Sequence, residues 1–270
     1  ATFADRNISI MHDRLKAGTF MPMQAKGIGW ENLDTYLRNR RIIHEDTATG
    51  LYLQSDPDEA RTFLGWMAEA AGMGPLFQDE INNASDAELR DLGARIIQRI
   101  HERQLFEQVY RRAQRKDAPA YAERGLFAFD VSGYMLNPQG IDPINARAQL
   151  SQIEKDLGPD SFDTLEQAAQ NYYDVMGGVM RDAYKLGLIR PSHWTERIQP
   201  NLGNYVPFMV LDYFTGHADA SMRARGGTAK DILPTHLAGQ LKAAAILRRM
   251  QRQKQALILQ EFFQQDGSVF

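Results

Sequence analysis

Two helix starts marked by proline, Asp142-Pro143 and Gly158-Pro159, constrain this chain more than any other feature of it. Asp142 offers an acceptor side chain just before a residue whose missing N–H costs nothing at the first helical position, which makes it a good N-cap. The helix that follows shows Ile144, Ala148, Leu150 and Ile153 and should stop at Gly158-Pro159. Asp160 or Ser161 is expected to cap the next one. There Phe162, Leu165, Ala168 or Ala169, Tyr172, Met176, Val179, Met180, Ala183 and Leu186 or Leu188 keep a spacing of three and four. Such a stripe implies a rod about 40 Å long at 1.5 Å per residue. Gly177-Gly178 lies in its middle, where each glycine weakens a helix by roughly 1 kcal/mol. The pair is expected to mark close approach of a neighbouring helix, ahead of a kink or a ligand contact. Leu186-Gly187 closes the rod, and Ser192 with Glu196 suggests one more turn carrying Trp194.

The preceding half is helical by the same grammar. Asp5 to Lys16 forms a short helix stopped by Gly18, and Thr19 to Gly29 is a connector in which Phe20, Met21 and Met23 tuck against something. Trp30, Leu33, Leu37 and Ile42-Ile43 give a helix ending in a loop from Asp46 to Gly50, with Arg38, Arg40 and Arg41 as solvated charges near its C-terminus rather than a phosphate site. Ser55-Asp56-Pro57 starts another, with Ala60, Phe63, Leu64, Met67 and Ala71 inward and Gly72 to Pro75 as its end. Ser85 followed by Glu88 is a capping box, after which nothing breaks the pattern before Lys116. Asp117 to Gly140 reads as the connector between an N-terminal helical subdomain, 1–116, and a C-terminal one, 141–270. Within it Phe127, Phe129 and Val131 alternate with Ala128 and Asp130, one short extended segment over 126–132. The region 216–231, with His217, Asp219 and Gly226-Gly227, reads as a loop, and Pro234 opens a last helix.

Charge is balanced overall but not locally. The net charge of −3 argues against a protein that coats nucleic acid, yet leaves basic patches open. Between Asp86 and Lys116 there are eight bases against five acids, and Arg95, Arg99 and Arg103 stand one turn apart on one ridge. The plainer expectation is a solvated surface with Asp91–Arg95 and Glu107–Arg111 pairs; the other is contact with nucleic acid or an acidic partner. The same choice applies to Arg248, Arg249, Arg252 and Lys254 on the last helix. There the turn Gln251 to Gln255 has no apolar position, so it is exposed all round or touches something polar. The chain has no cysteine, hence no disulfide framework and no thiolate chemistry. No apolar run reaches 18 residues, and no charged-then-apolar leader opens the chain, so neither a spanning helix nor an intact signal peptide is expected. Ala1 in first place fits a trimmed chain or a segment of a longer one.

Asn137-Pro-Gln-Gly-Ile-Asp-Pro143, Glu154 with Asp156-Leu157-Gly158, Ala183 to Leu188, and Tyr205-Val206-Pro207 together resemble the helical "large polyvalent protein associated" domains. Those domains occur in very long proteins of tailed phages and conjugative elements that travel with DNA into a recipient cell. The likeness covers residues 30 to 265 in outline and is concentrated in 137–208. It implies a non-enzymatic module of an internal virion or ejected protein. Such a module would sit in the virion interior or host cytoplasm, with other virion or mobile-element proteins, itself or DNA as partners. No catalytic residues come with the pattern.

Chemistry finds little support among the residues themselves. His217-Ala-Asp219 lacks a third metal ligand at sensible spacing. His44-Glu45-Asp46 closes a helix, where such residues are ordinary, and His101 has Glu102 off its face. Glu154 and Glu166 form a glycosidase-like pair only in principle, since carboxylates flank helical turns commonly. No nucleophile elbow, zinc-protease helix or phosphate-cradling loop occurs. The expectation is therefore an all-α bundle of seven or eight helices, two of them long. It is expected to have no cofactor or metal and to act as a structural or interaction module; the alternative is a phosphate-backbone binder.

Overall fold

Among the residues described, every element longer than a turn is helical and there is no β-strand. The computed structural model describes residues 2–55, 57–103, 105, 108–109, 137–204, 206–207 and 232–265. The extended segment expected at 126–132, most of the 117–140 connector and the 216–231 loop lie outside them. The helices are α1 (Phe3–Leu15), α2 (Met21–Ala25), α3 (Trp30–Ser55), α4 (Pro57–Ala70), α5 (Gly74–Asn83) and α6 (Leu89–Glu102), then α7 (Pro143–Leu157), α8 (Pro159–Lys185), α9 (Pro191–His193) and α10 (Thr235–Gln265). Eight of them have seven residues or more among the described residues, which is the all-α architecture expected. No helix among the described residues is long and apolar enough to cross a membrane.

The chain divides into two compact units, residues 1–37, 152–207 and 234–270 in the first, 38–151 and 208–233 in the second. Each unit is assembled from separate stretches, unlike the contiguous halves 1–116 and 141–270. The reason in the first unit is that the N-terminal helix finds its apolar partners on α8 and α10, far along the chain.

In the first unit α8 is the central rod. Its 27 residues bury Leu165, Ala168, Ala169, Tyr172, Tyr173, Val175, Met176, Val179 and Ala183, as the three-and-four spacing predicts. Asp142 caps α7 as expected, its Oδ1 accepting from the Asn145 N–H at 2.7 Å. The start of α8 differs: Gly158, at φ +72°, stands in the N-cap position and no side chain caps it. The end follows the sequence, with Leu188 N–H donating to Ala183 O at 3.1 Å around Gly187 at φ +73°.

Close helix approach occurs at a different glycine from the expected one. A Cβ on Gly178 would meet nothing, and one on Gly177 would make only ordinary contacts with Arg181 and Leu202. At Gly239 of α10, however, a Cβ would coincide with the Tyr172 hydroxyl. That hydroxyl donates toward Thr235 O and His236 O, at 3.3 and 3.1 Å, in the first turn of α10. Burial holds the phenol protonated far above its usual range, with Asp34 adding to the effect. Glycine is what lets α10 sit on this tyrosine.

The connector expected at 19–29 is helical too. A π-helical turn, Lys16–Phe20, carries α1 into α2, and Gly18 fits there against the Asn171 side chain of α8. Thr19 is fully buried and donates to Ala168 O at 2.9 Å. Met23 is buried as expected, whereas Met21 is 55% exposed. The polar turn of α10 does touch something polar: Gln251 Oε1 accepts from the Ala4 N–H at 3.1 Å, satisfying one of the orphan donors that begin α1.

In the second unit the core lies between α4, α5 and α6. Phe63, Leu64, Met67, Ile81, Leu89, Leu92, Ile96 and Ile100 close it, with Trp66 stacked on Phe63. Two helix ends differ from expectation here. α3 does not stop at a 46–50 loop but runs through Gly50 to Ser55. A single glycine weakens a helix by about 1 kcal/mol and does not by itself end one. Conversely, the helix after Ser85 ends at Glu102 instead of continuing to Lys116: Leu105 N–H reaches back five residues to Ile100 O, which breaks the α-pattern. Residues 110–116 lie outside those described.

Of the Ser85–Glu88 capping box the glutamate half forms, in the turn just ahead of α6, which begins at Leu89. Glu88 Oε2 accepts from the Ser85 N–H at 2.8 Å and from its hydroxyl at 2.6 Å. These bonds, the hydroxyl first, hold the Glu88 carboxyl below its usual value, and Thr2 does the same for Asp5 at the head of α1. A carboxyl whose folded pKa is depressed contributes stability above its unfolded pKa and loses it as pH falls through the folded one. Ser85→Ala is therefore expected to lower Tm at neutral pH and to shrink the gap from wild type as pH is taken below 4, measured by thermal melts across pH.

Candidate functional site

The three arginines of the α6 ridge line one groove in the second unit. It lies between α5 and α6, has a volume of about 400 Å³, and is lined by Met73, Leu76, Phe77, Glu80, Arg95, Gln98, Arg99, Glu102 and Arg103. Its construction follows from the two helices. Pro75 in the first turn of α5 and the tight bend at Gly72, φ +70°, fold α5 back against α4, and α6 packs beside both. Phe77 and Ile81 fix the inward face, which leaves Leu76 and Glu80 turned toward the groove, Leu76 being 59% exposed. On α6 the inward positions Leu92, Ile96 and Ile100 place Arg95 and Arg99 on the adjoining ridge, and Arg103, in the turn just past Glu102, follows them with its N–H donating to Arg99 O at 3.1 Å.

The charges in the groove are partly spoken for. Arg95 Nη1 lies 2.7 Å from Glu80 Oε2, tying α6 to α5. Arg99 Nη1 lies 3.0 Å from Glu102 Oε2 on its own helix. The expected Asp91–Arg95 pair is thus replaced by one across the groove. Glu107, expected to pair with Arg111, lies outside the described residues along with that arginine. Arg103 has no carboxylate partner among the described residues. The groove therefore offers an apolar floor, one uncommitted guanidinium, and two more whose carboxylates can yield to a stronger acceptor.

The second predicted set belongs to the first unit and does not form a groove. Lys254 Nζ stands 3.8 Å over the Phe3 ring, a cation–π contact that fastens α10 to α1. Arg248 lies close enough to Asp5 to stabilise its carboxylate, after the Thr2 hydrogen bonds. Arg249 repels Lys242, whose pKa is lowered first by burial. Arg248, Arg249 and Arg252 are exposed. This end of α10 serves the packing of α1 at least as much as it offers a charged face.

The other sequence candidates are dispersed. Glu166 accepts from the Tyr36 hydroxyl at 2.9 Å, while Glu154 is exposed on α7, so no carboxylate pair is formed. Glu45 pairs with Arg41 at 2.8 Å, and Asp46 with Arg147. His217 and Asp219 lie outside the described residues, as does the His101 side chain. No group of three metal-ligating side chains is present among the described residues.

Two arrangements escaped the sequence reading. In the first unit His236 Nδ1 sits 2.7 Å from Asp34 Oδ1, which also accepts the His236 N–H at 2.9 Å, while Trp30 stacks on the imidazole at 5.8 Å. Asp34 thereby acts as the cap of α10 from another helix, a role that no local spacing announces. In the second unit Gln149 Oε1 accepts from both Arg38 Nη2 and Asn39 Nδ2 at 2.9 Å, and Arg38 Nη1 reaches Gln139 Oε1 at 3.3 Å. Gln139 holds φ +58° inside the Asn137 to Pro143 turn, so Arg38, one of the three arginines expected to be solvated, in fact braces that turn, while Arg41 pairs with Glu45 on its own helix.

Comparison with models of known families, with characterised proteins and with solved structures finds no match for this chain.

Proposed function

We propose that this chain is a non-enzymatic interaction module that docks an acidic, partly apolar segment of a partner protein in the α5–α6 groove. The observation that carries the reading is the combination in one groove of Met73, Leu76 and Phe77 with Arg95, Arg99 and Arg103. A phosphate backbone would use the arginines and leave the apolar floor wet, whereas a helix with an apolar face and a carboxylate edge uses both.

The resemblance of Asn137 to Phe208 to polyvalent-protein domains supplies the setting. In this proposal the module belongs to a phage or mobile-element protein, packaged in the virion or delivered with DNA, and its partners are other proteins of the same particle. Mass spectrometry of purified particles from a strain carrying the gene is expected to find the chain inside them; its absence would remove that setting while leaving the groove reading intact.

The groove itself is tested by titrating a labelled acidic amphipathic helical peptide and a labelled DNA duplex separately. The peptide is expected to bind, with Arg99→Glu plus Arg103→Glu weakening it about tenfold or more. DNA binding with a steep salt slope, lost in the same variant while the peptide fails to bind, would favour the phosphate-backbone alternative instead.

A further inference from the structure

The last turns of α10 carry the largest exposed apolar cluster among the described residues. Leu257, Ile258, Leu259, Phe262 and Phe263 are 40%, 65%, 56%, 61% and 55% exposed. They do not continue the packed side of their own helix. At about 100° per residue, the centre of Ile258, Leu259, Phe262 and Phe263 falls roughly 140° round from that of the buried Ala243, Ile246, Leu247 and Met250. Ile258 with Phe262 and Leu259 with Phe263 are one-turn neighbours, so the four make a continuous strip. Their exposed area is on the order of 500 Å², near the upper end of what a monomer shows to water.

Beyond Arg252 and Lys254, the latter one turn before Ile258 and held over the Phe3 ring, the charge along the strip is acidic. From Gln255 to Phe270 the chain has Glu261 and Asp266 and no lysine or arginine. Glu261 lies one turn after Leu257 and adjoins the strip. The tail is thus an acidic amphipathic helix end, the class of ligand proposed above for the α5–α6 groove. That groove has the opposite balance, three arginines against Glu80 and Glu102, and its volume of about 400 Å³ has room for two aromatic rings.

We infer that the α10 tail of one copy of this protein docks in the α5–α6 groove of a second copy. Phe262 and Phe263 fill the space over Met73, Leu76 and Phe77, and Glu261 pairs with Arg103. Counting both faces, such a contact buries on the order of 1,000 Å², the lower bound for a specific interface. It is heterologous, since tail and groove are different surfaces, so each added copy exposes a fresh pair and assembly proceeds head to tail into rings or open chains. This inference rests on the docking role of the groove and names its occupant.

The test uses the full chain in sedimentation velocity over a wide concentration range. Mass is expected to rise with concentration beyond a dimer. Phe262→Ser with Phe263→Ser, or Arg99→Glu with Arg103→Glu, is expected to weaken association roughly 30-fold or more. Each double variant alone is then monomeric, but an equimolar mixture forms a one-to-one complex, because one copy still has its groove and the other its tail. Arg103→Glu combined with Glu261→Arg in one chain is expected to restore association lost by either change alone. All these sites are exposed, and thermal melts establish that the variants fold. A wild-type chain monomeric at every concentration overturns the inference. So does self-association that survives in the arginine variant, which would mean that tails meet tails. If the chain stays monomeric while the free acidic peptide still binds the groove, the docking reading stands and only this occupant is wrong; if neither associates, both fall.

Discussion

Phe63→Ala is expected to destabilise the second unit by about 3 to 5 kcal/mol, the range for deleting an aromatic ring from a packed core. Phe63 is 1% exposed and is the largest fully buried side chain of the α4–α5–α6 cluster, with Trp66 stacked on it at a centroid distance of 6.4 Å. The cluster it belongs to draws Leu64, Met67, Ile81, Leu92 and Ile96 from all three helices, so no single helix can move in to fill the void without dragging the others. The consequence reaches the groove, because α5 and α6 are held at their spacing by this cluster. Hydrogen exchange is the natural readout: amides of α4, α5 and α6 should lose protection by several orders of magnitude, as the energy implies. Peptide affinity should fall even though Phe63 touches no ligand. A change below about 1 kcal/mol would mean that the core is not built around this residue.

Gly239→Ala is expected to be the most damaging single-methyl change in the first unit, at about 2 to 3 kcal/mol. Alanine is worth roughly 1 kcal/mol over glycine in a helix interior, so on propensity alone the change should stabilise. It does not, because the new methyl would occupy the place of the Tyr172 hydroxyl. Overpacking then costs about 1 to 3 kcal/mol, and displacing a buried hydroxyl from Thr235 O and His236 O adds about as much. Tyr172→Phe separates the two contributions. Alone it should cost about 1 kcal/mol, yet combined with Gly239→Ala it removes the worst clash and leaves the ring carbon at 2.8 Å to shift slightly, so the double variant should be more stable than Gly239→Ala. Chemical denaturation of the four proteins gives the cycle; simple additivity would refute the close approach.

Much of the helical frame was legible because its signals are local. The Asp142 cap, the stop at Gly158, the apolar stripe of α8 and the closing turn at Gly187 each need only a few neighbouring residues, and each was readable. What was not readable depended on residues far apart. Nothing near Gly239 says that Tyr172, 67 positions earlier, will need its space, whereas Gly177-Gly178 looked like a contact and met little. The break after Glu102 has no proline or glycine to announce it. The α3 rod passes Gly50 for the opposite reason, that a glycine is a permission to stop and not an instruction.

The site was half legible in the same sense. One-turn spacing placed Arg95, Arg99 and Arg103 on a ridge, but their answering surface, Met73, Leu76, Phe77 and Glu80, comes from α5 and could be found only once the two helices were packed. Asp34 capping α10 and Gln149 bracing Arg38 and Asn39 are likewise cross-helix bonds between residues of ordinary local context.

The most direct measurement is to follow backbone and methyl NMR signals of the chain during titration with the acidic amphipathic peptide. Perturbed signals are expected to cluster on Met73, Leu76, Phe77, Arg95, Arg99 and Arg103, with the core methyls of Leu165 and Val175 unmoved. Saturable shifts confined to residues away from α5 and α6, or none at peptide concentrations that saturate any other site, would contradict the groove as the place where this protein meets its partner.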